Sequence, residues 1–137
     1  MSLINTLTSP AGLRLVLWAD ALSGSATAVL HLALAASLSA LLGLPTGLLS
    51  ASGILLLLYV ALAGSLALQS MPSSALLGVL VIGNFAWVAA CLVLLFGGVV
   101  SPTPLGQAYL VVQGVAVLVL AELQWMALRR RRSAAVA

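Results

Sequence analysis

Charged residues are nearly absent from this chain. They make up 5% of its 137 residues, whereas a soluble domain carries about 25%. The whole inventory is five arginines, Asp20 and Glu122, and 64% of the residues are hydrophobic. So few charges cannot coat a water-facing surface. These absences exclude a soluble globular protein, and the lipid bilayer is the expected solvent.

Residues that support chemistry are equally scarce. Cys91 is the one cysteine, so an intramolecular disulfide and a two-cysteine metal or redox motif are excluded. His31 is the one histidine, whereas a catalytic zinc needs about three protein ligands. It either donates a hydrogen bond at a helix contact or binds haem together with a second subunit's histidine. With no Ser-His-Asp set and no phosphate-binding glycine loop, we predict no catalytic residue, no metal and no cofactor.

What the chain does contain is four long apolar runs, at about 13–42, 47–68, 74–99 and 104–128. Each exceeds the roughly 20 residues that a helix needs to cross the hydrocarbon core. The runs do not alternate in polarity, which excludes barrel strands. The first is longer than the roughly 7–15 apolar residues of a signal peptide, so we expect a retained helix.

The short connections between these runs predict one domain over 1–137. Its expected fold is all-α, a transmembrane antiparallel four-helix bundle. Residues 1–11 read as an interfacial lead-in, and Ser9 or Pro10 is placed to start the first helix. Residues 129–137 read as a basic cytoplasmic tail.

Arginine sets the expected orientation. Arg14 precedes the first run, the loops between runs carry none, and four more follow the last run: Arg129, Arg130, Arg131 and Arg132. The positive-inside rule then places both ends in the cytoplasm, in a multi-pass protein of the cell membrane, the inner membrane if bacterial. Trp18 and Trp125 lie near the same ends as interface anchors. The basic run beside an apolar segment favours anionic lipid headgroups over nucleic acid.

Polar residues in the first run share one helical face. This face holds five residues at steps of three and four: Asp20, Ser23, Gly24, Thr27 and His31. An ionisable side chain is costly in lipid, so the face is expected to point into protein or water. Ser23, Gly24 and Thr27 either allow close helix contact or line a functional cavity.

The helical rise sorts the polar residues by depth. Asp20 lies about 9 Å beyond Arg14, Glu122 about 10 Å before Arg129, and Asn84 about 5 Å deeper. These three are expected to form one cluster with the arginines as counter-ions, either a proton or cation site or a packing contact.

A second level, nearer the outer surface, holds His31 and Gln113. Gln113 and Glu122 fall on opposite faces of the last helix, whereas Gln113 and Gln124 share a face. Gln113 and Glu122 cannot both line one pore within a single bundle, so either one faces a partner subunit or Glu122 reaches the headgroup level from the lipid side. We expect that the isolated four-helix unit is not the complete functional assembly.

Several short segments, spread over nearly the whole chain, are similar to those of other proteins. They are Arg14 with 18–24, Leu42-Gly43-Leu44-Pro45, Asn84-Phe85-Ala86-Trp87, Pro102-Thr103-Pro104-Leu105-Gly106, and 113–122 before the basic end. In these the chain resembles a broad group of small, uncharacterised four-span bacterial integral membrane proteins. The resemblance implies a fold and supplies no activity.

Three functions follow as hypotheses. The first is a non-enzymatic protein that acts through helix contacts, as an accessory subunit or homo-oligomer. The second is a small oligomeric transporter or channel for a proton, cation or polar solute, which uses Asp20, Glu122 and Asn84. The third, a membrane enzyme or redox protein, has only His31 in its favour.

Overall fold

The computed structural model describes residues 2–136, and this part of the chain is 86% helix with no strands. Its helices are α1 (Leu3–Leu7), α2 (Pro10–Ala33), α3 (Ala35–Leu42), α4 (Thr46–Leu68), α5 (Ser74–Phe96) and α6 (Pro104–Val136). Four of them, α2, α4, α5 and α6, are long and apolar enough to cross a membrane. The predicted all-helical class and the four long apolar helices are confirmed, and they indicate a multi-pass membrane protein.

Two of the long helices begin with the same combination of a hydroxyl cap and a proline. At α2, the Ser9 hydroxyl accepts a hydrogen bond from the Gly12 N–H at 3.1 Å, and Pro10 is the first helical residue. At α6, Thr103 Oγ1 accepts from the Gly106 N–H at 3.1 Å, directly before Pro104. Proline suits the first turn because its missing N–H would have no intrahelical partner there.

The first predicted run is two helices instead of one. Leu34, with φ −119° and ψ 25°, separates α2 from α3. No proline or glycine marks this bend, and the Leu34 N–H still donates to the Leu30 carbonyl at 3.0 Å. The bend sets α3 against α4 and α6, so tertiary packing accounts for it. The single continuous helix over 13–42 was wrong.

Two other predicted ends also move. α5 stops at Phe96, before the predicted 99, because Gly97 follows and Gly98 adopts a left-handed φ of 69°. α6 continues past 128 to Val136, so the predicted basic segment is helical over 129–136. Arginine is a good helix former, and a basic run therefore ends the apolar segment without ending the helix.

The long helices associate as two pairs. α2 packs mainly on α4 and α5 packs mainly on α6, which we call the first and second pair. α4 and α5 follow each other in the chain but share a much smaller contact, whereas α2 and α3 both reach α6. Contacts between the pairs therefore decide how the whole unit holds together.

Two apolar clusters fill the interior, one toward each end. The first is Leu13, Leu17, Ala21, Ala63, Leu66, Ala67, Leu77, Leu80, Ala127 and Leu128. The second is Leu42, Leu44, Leu49, Cys91 and Leu110. Many other large apolar side chains face outward, such as Leu58, Ile82 and Phe96, as expected where lipid is the solvent.

Near the second cluster, one loop joins the two pairs. Gly43 ends α3 with a left-handed φ of 69°. The terminal carbonyls of α3 are then bonded by Thr103: its N–H donates to the Leu42 oxygen at 3.0 Å, and its hydroxyl donates to the Leu41 oxygen at 2.7 Å. This satisfies acceptors that a helix end leaves open.

Candidate functional site

Three buried polar side chains meet between the two helix pairs, and we call them the Asp20 cluster. Asp20 comes from α2, Asn84 from α5 and Gln124 from α6. Asn84 Nδ2 donates to Asp20 Oδ2 at 2.9 Å and to Gln124 Oε1 at 2.8 Å. Gln124 Nε2 donates to the same Asp20 oxygen at 2.6 Å. Each member is thus bonded to both others.

The Asp20 cluster is enclosed by protein. The exposed fractions of Asp20, Asn84 and Gln124 are 5%, 3% and 0%. Asp20 lies on α2 between Leu17 and Ala21 of the first apolar cluster. Two amide donors satisfy Oδ2 of the Asp20 carboxyl group, as a stable buried polar network requires.

This arrangement corrects the predicted composition of the cluster. Glu122 is exposed on the outer side of α6, and Gln124 occupies the place expected for it. The two residues lie at nearly the same depth but on opposite sides of the helix, because a step of two residues turns the helix by about 200°. The pairing of Asp20 with Asn84 is present as expected.

The predicted counter-ions are also wrong. Arg14 Nε donates to the Ala67 carbonyl at the end of α4, at 2.9 Å, and does not bond Asp20. Arg130 donates to the Asn5 side chain, and Arg131 Nη2 donates to the Pro72 carbonyl at 2.5 Å. Within residues 2–136, Asp20 therefore accepts from neutral amides only.

The polar face of α2 splits into buried ends and a more open middle. Asp20 and His31 are buried, Gly24 and Thr27 are half-buried, and Ser23 is exposed. The Ser23 and Thr27 hydroxyls donate to carbonyls of their own helix, at 3.1 Å and 2.9 Å. A methyl group at Gly24 would come within 2.9 Å of Val60 Cγ2, so this position faces α4 at close range.

A second group of polar side chains, the His31 chain, also joins the two pairs. His31 Nδ1 lies 2.7 Å from Ser52 Oγ of α4, and His31 Nε2 lies 2.6 Å from the Tyr109 hydroxyl of α6. The Ser52 hydroxyl donates its own hydrogen to the Leu49 carbonyl at 2.8 Å. Ser52 Oγ then accepts from Nδ1–H, and the direction of the bond between Nε2 and the Tyr109 hydroxyl follows the protonation of the ring. The chain links α2, α4 and α6 through one imidazole.

A cavity of about 80 Å³ adjoins the His31 chain. Its walls include His31, Ser52, Tyr109, Trp87 and Gln113. The Trp87 indole N–H donates to Gln113 Oε1 at 3.2 Å. The predicted outer level thus brings His31 and Gln113 to one cavity, although they do not bond each other. A cavity of this size has room for water, although apolar side chains form most of its surface.

The predicted interface anchors lie at the arginine-rich end. Trp18 and Trp125 are exposed by 37% and 38%, which leaves part of each ring facing outward. Arg129, Arg130 and Arg132 are exposed and Arg131 is half-buried, all four on the last turns of α6.

Sequence reasoning missed four of the bonded residues: Gln124, Ser52, Tyr109 and Tyr59. The Tyr59 hydroxyl donates to the Leu80 carbonyl, which links α4 to α5. A signal existed for Gln124, since it shares a helical face with Gln113. No comparable spacing marks Ser52, Tyr59 or Tyr109. Each of them bonds a partner on another helix.

Among residues 2–136, no three His, Cys, Asp or Glu side chains come together as possible metal ligands. No family model, no curated protein and no solved structure matches the chain.

Proposed function

We propose that the chain is a multi-pass membrane protein with four antiparallel spans and both ends in the cytoplasm. It works through helix contacts, as an accessory subunit or homo-oligomer, and carries out no catalysis. The hydrogen bonds support the antiparallel arrangement. The start of α2 bonds the end of α4 through Arg14 and Ala67, and the end of α2 bonds the start of α4 through His31 and Ser52.

The exposed position of Glu122 is the observation that supports a partner chain. Its side chain is exposed on α6, about 10 Å before the first of the terminal arginines. A charged side chain that faces acyl chains costs about 2.5–3.5 kcal/mol at mid-depth. Glu122 does not occupy the interior position at this level, because Gln124 fills it and completes the Asp20 cluster. A hydrogen-bond donor from a second membrane-embedded chain would stabilise the Glu122 side chain in its exposed position.

Disulfide crosslinking in membranes tests this contact. In a Cys91→Ser background, Val119→Cys introduces a thiol one turn from Glu122 on the same exposed face. Ile82→Cys is the control, exposed on α5. We expect crosslinked product at 119 and not at 82, and its loss when Glu122→Gln is added. A monomer in mild detergent and in bilayers, with no crosslink and no captured partner, would refute the proposal.

A second candidate function is a small oligomeric transporter or channel for a proton or cation. One observation favours it: both amides bond Asp20 Oδ2, and Oδ1 accepts no hydrogen bond from residues 2–136. The site is then Asp20 with Asn84 and Gln124, without Glu122. Proton or cation flux into proteoliposomes should fall in Asp20→Asn and persist in Ser23→Ala. Equal flux in both variants removes Asp20 from any pathway.

A further inference from the structure

A large groove opens at the arginine-rich end of the molecule. Its volume is about 660 Å³, and it lies between the start of α2, the loop that joins α4 to α5, and the last turns of α6. Apolar side chains such as Pro10, Leu13 and Met71 form part of its walls. Two of the four terminal arginines, Arg130 and Arg131, also line it.

Arg131 has an unsatisfied donor at this groove. Its Nη2 donates to the Pro72 carbonyl, whereas its Nη1 is buried and has no hydrogen-bond partner among residues 2–136. Among the buried side-chain nitrogens and oxygens of those residues, it is the one atom left without a partner. A buried, unpaired donor on a cation is costly. A small rotation of the guanidinium would present Nη1 to an acceptor in the groove.

The described chain supplies no anion for this purpose. Glu122 lies about 12 Å back along α6 from Arg130. Asp20 is buried and bonded to Asn84 and Gln124. The positive charge at the groove therefore needs an acceptor from outside residues 2–136.

We propose that the groove binds the headgroup phosphate of one anionic phospholipid, with an acyl chain along its apolar walls. The inference rests on the proposed membrane insertion and adds a defined lipid site to it. A free phosphate would satisfy the arginines but leave the apolar walls and most of the volume unused. A phospholipid matches both the charge and the walls.

The arginines provide a matched pair of variants. Arg130→Gln/Arg131→Gln removes the two that line the groove. Arg129→Gln/Arg132→Gln removes the same charge from the same helix, outside the groove; Arg132 instead lies toward Gly78 of α5. Native mass spectrometry of protein released from nanodiscs would count the lipids that each variant retains, with phosphatidylglycerol and phosphatidylcholine as probes.

We expect one retained phosphatidylglycerol and weak retention of phosphatidylcholine. Arg130→Gln/Arg131→Gln should weaken phosphatidylglycerol retention at least about tenfold, because it removes the charged hydrogen-bond donors that line the groove. The control variant Arg129→Gln/Arg132→Gln should change phosphatidylglycerol retention by less than about threefold. If both double variants lost phosphatidylglycerol equally, the proposed site would be overturned. That result would show that the lipid is attracted to the basic helix without a specific site.

Two further measurements keep the test decisive. Ala134→Trp fills the groove while both arginines remain, and should also reduce phosphatidylglycerol retention; full retention would overturn the site. Binding of inorganic phosphate at the arginines with no retained lipid would overturn the lipid assignment. Resistance of the protein to carbonate extraction reports membrane insertion separately, so failure of the proposed fold is distinguished from failure of the lipid site.

Discussion

The Asp20 cluster and the His31 chain both join the two helix pairs, but they differ in what surrounds them. The three side chains of the Asp20 cluster bond one another and are nearly fully buried. The His31 chain runs along a cavity of about 80 Å³. Water can replace a lost partner only where there is space beside polar groups that can bond it, as beside His31, Ser52 and Tyr109. Damage to the Asp20 cluster should therefore cost more than damage to the His31 chain.

The largest expected effect is that of Asn84→Leu. This change removes two donated hydrogen bonds and leaves Asp20 and Gln124 each short of a buried partner. We expect a loss of about 2–4 kcal/mol in the free energy of unfolding, because unsatisfied groups near a carboxylate are costly. Titration from mild detergent into SDS, followed by circular dichroism, would measure it.

Ser23→Ala is the control for Asn84→Leu, since its hydroxyl bonds only a carbonyl of its own helix. It should change the free energy by less than about 0.5 kcal/mol. A cost below 1 kcal/mol for Asn84→Leu would show that the Asp20 cluster is not rigidly closed.

Substitutions at two glycines compare how tightly the chain packs around the Asp20 cluster and around the His31 chain. A methyl group at Gly83, beside Asn84, would lie 2.6 Å from Tyr59 Cε2, and the Tyr59 ring is held by its bond to the Leu80 carbonyl. A methyl group at Gly53 would lie 2.7 Å from Cγ of the exposed Leu32, which has space to move, and 3.2 Å from Cβ of the buried His31. We expect Gly83→Ala to cost about 1–3 kcal/mol and Gly53→Ala less.

Gly64→Ala calibrates this comparison, because nothing lies within 4 Å of the added methyl. It should be neutral or stabilising by up to about 1 kcal/mol in the same titration. If Gly53→Ala costs more than Gly83→Ala, the packing around the Asp20 cluster is not the tighter of the two.

Tyr109→Phe should have a smaller effect. It removes the hydroxyl that bonds His31 Nε2, but the adjoining cavity has room for a water in its place. We expect about 1 kcal/mol or less, in line with hydrogen bonds between membrane helices. A double-mutant cycle with His31→Phe would measure the coupling. Coupling above about 2 kcal/mol would contradict replacement by water.

Asp20→Asn should have the smallest effect on stability. Both amides bond the same Asp20 oxygen, and the carbonyl of an asparagine can accept both bonds. We expect a change within about 1 kcal/mol in the titration. A loss as large as that of Asn84→Leu would show that the negative charge itself holds the cluster together.

The four long apolar helices could be predicted from the sequence, but their bounds and faces could not in every case. The helical rise placed Asp20 with Asn84, and His31 near Gln113. It could not choose between Glu122 and Gln124, since two residues differ by about 3 Å in depth. The face that Gln124 shares with Gln113 was the deciding signal. The bend at Leu34 depends on contacts of α3 with α4 and α6, which no local residue type reveals.

The long sequence separation within the Asp20 cluster has a consequence for biosynthesis. Asn84 and Gln124 follow Asp20 by 64 and 104 residues. A ribosome that adds about 5–20 residues per second leaves Asp20 without its partners for several seconds. During that interval the Asp20 carboxyl group lacks both of its amide partners. We therefore expect the first helix pair to reach its final stability only after α5 and α6 have been synthesised.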